Sequence, residues 1–159
     1  MVNKEFLEKA LESVMDPEVP VLSVMDLGLV RSIRIEEEAI HVEVAPTYTG
    51  CPAMDVIHLR IKEALCPFGV TVIHPVIHPP WTTDWMTEAG KKKLEAYGIA
   101  PPVGKASDKR TLWAPSPTVR CPRCKSELTS LVSLFGSTAC KSLYQCQDCN
   151  EPFDYFKCF

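Results

Sequence analysis

Apolar residues recur along this chain at two spacings, and each change of spacing marks a new element. Phe6, Leu7, Ala10, Leu11 and Val14 fall at helical intervals. Asn3 suits the N-cap of that helix, and Asp16-Pro17 is expected to stop it, because a residue before proline avoids the helical basin. Residues 15–28 read as a long loop. Two alternating runs follow: Leu29, Ile33 and Ile35 share one face, and Ile40, Val42 and Val44 repeat the pattern. With Glu36-Glu37-Glu38 as a solvated connection, these runs predict a β-hairpin. Pro52 to Leu65 predicts a helix with Met54, Ile57, Ile61 and Leu65 on one face. Val70 to Pro75 predicts a further strand, completing a βαβ unit whose crossover is expected to be right-handed. Thr83 to Tyr97 predicts another helix, closed by Gly98 and then Pro101-Pro102.

Beyond Gly98 the pattern breaks. Residues 99–119 are rich in proline and small polar residues and read as a linker, with Trp113 expected to pin part of it to a surface. From Arg120 onward, short β-like runs at Leu128–Leu134, Leu143–Gln145 and Phe153–Lys157 lie between cysteines. The expected organisation is therefore an N-terminal domain over 1–98, a linker over 99–119 and a small domain over 120–159.

A hydrophobic content of 46% supports a packed core and argues against wholesale disorder. A net charge of −3 and a pI near 5.8 count against a nucleic-acid binder working through bulk electrostatics. No apolar run approaches the ~18–20 residues that span a membrane. The opening residues, Met1-Val2-Asn3-Lys4-Glu5, do not resemble a secretory signal. A cytoplasmic protein is expected, with no membrane and no nucleic-acid partner.

Eight cysteines in such a chain point to thiols and metal ligands, not disulfides. Cys121-Pro122-Arg123-Cys124 and Cys146-Gln147-Asp148-Cys149 are two C-x-x-C turns. Each supplies half a tetrahedron of thiolates, so Cys121, Cys124, Cys146 and Cys149 predict a structural zinc site. A module this small cannot bury enough surface alone, and a metal would supply its folding free energy. A closed tetrahedron leaves no position for substrate, so catalysis is not expected there. Cys140 and Cys158 are read as packing cysteines, with iron–sulfur ligation as the alternative.

A second feature lies at Pro46-Thr47-Tyr48-Thr49-Gly50-Cys51-Pro52. Proline suits the first position of a helix, which puts Cys51 at the N-cap. The partial positive charge there favours a thiolate, so the Cys51 pKa is expected to fall. Gly50 leaves the sulfur open on one side, and Thr47 and Thr49 bring hydroxyl donors. Cys51 is thus a candidate nucleophilic, iron-binding or cluster-binding thiol. Cys66, at the far end of the same helix, is read as core. Asp16, Glu18 and Asp26 either form turns or meet near Cys51. Glu38 and His41 match half of a di-iron motif but fall on a turn and strand, and no second copy exists. His74 and His78 are separated by Pro75, which removes the helix that would align them. His58 is read as a surface helix residue, Trp81, Trp85 and Met86 as core, and Lys91-Lys92-Lys93 as a solvated face.

Asp16-Pro17-Glu18-Val19-Pro20, Asp26-Leu27-Gly28 and Pro46-Thr47-x-x-Gly50-Cys51-Pro52 resemble the SufT-type iron–sulfur assembly domain. Further stretches narrow the likeness: Trp81 to Met86, Gly98 to Pro102, Phe135 to Lys141 and Glu151 to Cys158. Over nearly its full length the chain resembles the PaaD family, associated with the 1,2-phenylacetyl-CoA epoxidase of bacterial phenylacetate degradation. The resemblance implies an α+β fold, a small mixed sheet with packed helices, followed by a zinc β-ribbon. It implies a non-catalytic accessory that matures or maintains the iron–sulfur or di-iron centre of that system. The family's functional cysteine carries over to Cys51, supported by Asp16 and Glu18, with transient iron or a cluster as cargo. Implied partners are the oxygenase and reductase subunits, and a dimer pairing two Cys51 sites is compatible. A permanently bound, non-catalytic component of the epoxidase and a nucleic-acid-binding ribbon are the competing readings.

Overall fold

Helix α1, Lys4–Leu11, starts where expected: the Asn3 side chain accepts from the Glu5 N–H at 3.3 Å. It stops at Leu11, well before Asp16-Pro17. The Ser13 hydroxyl donates to the Ala10 carbonyl, and the Val14 N–H closes a tight turn onto Leu11. Leu7, Leu11 and Val14 are buried, whereas Phe6 is exposed. The computed structural model describes residues 3–104 and 118–157. Contacts divide the chain into two compact units, Met1–Trp81 with Trp85–Gly90, and Thr82–Asp84 with Lys91–Phe159.

In the first unit, the loop after α1 is pinned from within. Val19, Leu22, Val24 and Leu27 are buried along it, and Asp16 holds its first turn by accepting from Glu18 N–H (2.7 Å) and Val19 N–H (2.9 Å). Strands β1, Val30–Glu36, and β2, Ala39–Val44, form the expected antiparallel hairpin. Glu37 and Glu38 make the turn, both at positive φ (48° and 66°), which matches the right-handed twist of the flanking strands. Ile40, Val42 and Val44 face inward, as their alternation requires. Ile35 keeps the predicted face, paired with Ile40, but beside the turn on an edge strand it is left exposed.

Helix α2, Ala53–Leu65, buries Ala53, Ile57, Ile61 and Leu65. The inward stripe begins at Ala53, one residue earlier than predicted, which frees Met54. Strand β3, Val70–Pro75, then pairs in parallel with β2, giving a mixed three-stranded sheet in the order β1-β2-β3. Parallel neighbours need a long crossover, and α2 supplies it.

The predicted helix over Thr83–Tyr97 is split into a 3-10 turn, Thr83–Trp85, and α3, Glu88–Tyr97, ended by Gly98 at φ 95°. Trp81 and the stretch from Trp85 to Gly90 are tied to the Asp26–Gly28 turn. Trp81 Nε1 donates to the Leu27 carbonyl (2.8 Å), and Thr87 N–H donates to the Asp26 carbonyl (2.9 Å). The Arg31 guanidinium lies 3.3 Å above the Trp85 ring. Trp81 and Met86 are core, as expected, and Trp85 is half-buried.

The second unit holds the sheet β4-β5-β6: Thr129–Ser133, Lys141–Cys146 and Pro152–Phe156, all antiparallel. Its buried cluster is Ala100, Val119, Cys121, Tyr144, Cys146, Phe153 and Tyr155. Ala100 is held like an added strand residue, donating to the Asp154 carbonyl and accepting from Phe156 N–H. Both ends of the stretch read as a linker thus enter this core. Trp113 and Cys158 lie outside the described residues. Among the described residues no helix is long and apolar enough to cross a membrane.

Candidate functional site: a cavity at Cys51 and a four-cysteine metal cluster

The chain leaves β2 at Val44 and crosses Pro46 to Gly50 before α2. Gly50 takes φ 79° with open space around it. Cys51 N–H donates to the Tyr48 carbonyl (3.3 Å), and the Cys51 carbonyl accepts from Met54 N–H (3.2 Å). Pro52 is the N-cap and Ala53 the first helical residue, so Cys51 precedes the cap by one position. Its sulfur still receives the helix's leading Ala53 N–H, together with the Tyr48 hydroxyl.

Cys51 is half-buried and opens onto a cavity of about 220 Å³. The wall is mostly apolar, formed by Val44, Pro46, Met54, Pro75 and Ile77, with Thr49 and His58 as polar members. Val44 and Pro75 face each other in the β2–β3 register, so the cavity sits where the two parallel strands run out.

The expected drop in the Cys51 pKa is overturned. Burial pushes the thiol up, and the nearby Glu18 and Asp16 charges push it further; the Ala53 N–H and Tyr48 hydroxyl pull it back only in part. A half-buried thiolate loses more hydration than one or two hydrogen bonds restore. Alkylation of Cys51 by iodoacetamide should therefore be slower than that of a free thiol at neutral pH. The pH of half-maximal rate should lie above ~8.5, the midpoint of a free thiol. Peptide-resolved mass spectrometry across pH checks this, and a midpoint at or below that pH would contradict it.

The predicted supporting residues divide. Asp16 and Glu18 act electrostatically on Cys51, although Asp16 also caps its own turn. Thr49 is exposed at the rim. Asp26 is a turn former whose carboxylate accepts from Ser23 and Thr87. Two wall or contact residues escaped the sequence. Tyr48 lies within the motif, but nothing in the pattern shows where its hydroxyl goes. His58 was read as a surface residue; it is half-buried, its Nε2 is shut off from solvent without a partner, and burial lowers its pKa. Cys66, expected in the core, is exposed at the turn after α2.

In the second unit the two C-x-x-C turns converge. The four sulfurs of Cys121, Cys124, Cys146 and Cys149 all lie within 4.8 Å of one another, with Cys121–Cys149 at 3.7 Å and Cys124–Cys146 at 3.5 Å. A Zn–S bond of ~2.3 Å in a tetrahedron requires sulfurs ~3.8 Å apart. The donor set therefore fits a tetrahedral ion. The protein's own groups already favour part of that charge. Backbone N–H groups of Cys149 and Asp148 hold Cys146 at about 7. Cys124 is pushed up to about 12: the Ser126 N–H opposes this, but Cys146 and the other sulfurs accept hydrogen bonds from its S–H and hold the proton on it. A divalent ion replaces those shared protons. Cys140 is buried apart from the cluster, with its sulfur 3.0 Å from Thr138 Oγ1.

Two family models match the chain. Residues 4–68 match an iron-sulfur cluster assembly protein, and residues 105–157 match a PaaD zinc beta ribbon domain. The PaaD component of the 1,2-phenylacetyl-CoA epoxidase of Escherichia coli is 47% identical over 93% of this chain and 88% of its own length. The Fe-S protein maturation auxiliary factor YitW of Bacillus subtilis is 37% identical, covering 57% of this chain and 92% of its own. A crystal structure of a DUF59 domain from Bacillus anthracis is 27% identical with a TM-score of 0.54, covering 57% of this chain and 90% of that one. Likeness at this level along almost the whole of both chains makes this protein a member of the PaaD family of the 1,2-phenylacetyl-CoA epoxidase system.

Proposed function

We propose that this protein is a cytoplasmic, non-catalytic accessory factor. In this reading it matures or maintains the iron–sulfur or di-iron centre of the phenylacetyl-CoA epoxidase system, with Cys51 as the thiol that receives the cargo. The observation that carries the reading is the setting of Cys51: a sulfur on the wall of an apolar cavity, within electrostatic reach of two carboxylates. Such a thiol keeps its proton while no cation is near. An incoming ferrous ion or cluster reverses the balance, because its positive charge favours the thiolate and is itself favoured by Asp16 and Glu18. Capture and release then differ by a proton and a metal–sulfur bond, as a transient carrier requires. The family's relatives support the direction, since YitW is described as an Fe-S protein maturation factor. The ribbon's ion, on this reading, is zinc with a structural role, and the clients are the oxygenase and reductase subunits.

Co-expression of the epoxidase subunits with wild type or Cys51→Ala tests the proposal. The variant should fold normally, while the client is recovered with its iron, or iron and sulfide, reduced several-fold. A fully metallated client with a turnover defect would instead indicate a permanent component of the enzyme, and would sink the carrier role.

A further inference from the structure

The outer face of the β1-β2-β3 sheet carries a pair of imidazoles outside the Cys51 cavity. His41 on β2 and His74 on β3 are brought together by the parallel register, which sets His41 beside Val72 and Glu43 beside His74. His41 Nδ1 and His74 Nε2 are 2.9 Å apart, the rings are within 16° of parallel, and their centres are 5.2 Å apart. That separation is about the largest two imidazoles joined by such a contact can have. The contact therefore runs along the line of centres, with one nitrogen's lone pair aimed at the other nitrogen.

We propose that His41 and His74 form a binding site for a borderline divalent ion of the Zn²⁺ or Ni²⁺ class, open to water at its remaining positions. Both rings are accessible, and a hydrogen bond between two solvent-accessible imidazoles gains little over bonds to water. An ion gains two nitrogen ligands that the strand register already holds side by side. Zn–N bonds of ~2.0–2.1 Å in a tetrahedron set nitrogens ~3.4 Å apart, so binding opens the pair by about 0.5 Å and turns each ring by about 35° to aim its lone pair at the ion, a rotation of two side chains at a strand surface. Imidazole nitrogens suit these ions better than hard ones such as Mg²⁺. The neighbouring charges permit a cation. Arg34, opposite His41 on β1, is engaged with Glu36 and Glu43, and Glu43 lies beside His74 in register. The site is independent of Cys51, which lies at the strand ends and off this face.

The test is a Zn²⁺ titration of the full-length chain carrying its ribbon ion, followed by NMR of the histidine ring protons. The His41 and His74 signals should move together with the stoichiometry of one ion for the pair, while those of His78 stay in place; His58, on the Cys51 cavity wall, reports separately any ion taken up there. His41→Gln and His74→Gln, which keep hydrogen-bonding capacity, should each weaken this binding at least tenfold. Cys51→Ala should leave it unchanged. The assignment is overturned if wild type shows no saturable shift of the pair, if either glutamine variant binds as wild type does, or if Cys51→Ala abolishes the shift.

Discussion

Removing the ion from Cys121, Cys124, Cys146 and Cys149 should unfold the β4-β5-β6 sheet. The sheet's buried cluster is small, and two of its members, Cys121 and Cys146, are themselves ligands. Leu131 and Val132 on β4 are exposed and contribute little to a core. Apparent binding free energies for structural zinc in small modules are ~10–16 kcal/mol, which exceeds what a core of this size supplies. Chelation, or Cys146→Ser, should therefore collapse the amide NMR dispersion of β4 to β6, with about one ion released per chain. If those resonances keep their native positions after the ion has left, the apolar cluster is sufficient and the structural role fails.

Gly28→Ala should destabilise the first unit by about 2–5 kcal/mol, through two costs that add. Gly28 sits at φ 66°, where a side chain is strained by ~1–2 kcal/mol. Its added Cβ would also clash with the Trp85 carbonyl oxygen and come within 2.8 Å of the Trp85 carbonyl carbon. Trp85 cannot retreat easily, because Trp81 before it and Thr87 after it are both fastened to the Asp26–Gly28 turn. Overpacking of this kind costs ~1–3 kcal/mol. Gly98→Ala is the natural control. Its φ is 95°, but nothing lies within 4 Å of the new Cβ, so only the strain remains. Urea denaturation should rank Gly28→Ala well below Gly98→Ala; equal effects would refute the collision.

What could be read from the sequence was whatever depends on neighbours along the chain. Alternation at Ile40, Val42 and Val44 located β2 and its inner face. The two C-x-x-C turns named the metal ligands, because each turn alone brings two sulfurs together. The end of α1 was misplaced because the proline at 17 is a plain stop, whereas Ser13 ends the helix earlier by bonding back to Ala10. Cys51 shows the deeper limit. The helix start is visible in Gly50-Cys51-Pro52, but the two carboxylates that push the thiol's pKa up lie on a loop more than thirty residues away, and part of the wall around it comes from Pro75 and Ile77. His41 and His74 are likewise invisible as a pair until β2 and β3 are placed in register.

The cavity at Cys51 is bounded by Val44 and Pro75 at the ends of β2 and β3 and by residues past them, while Ile40 and Val42, earlier in β2, are not part of its wall. Substitutions at Pro46 and Ile77 can therefore widen or narrow the chamber without disturbing the pairing that holds the sheet together.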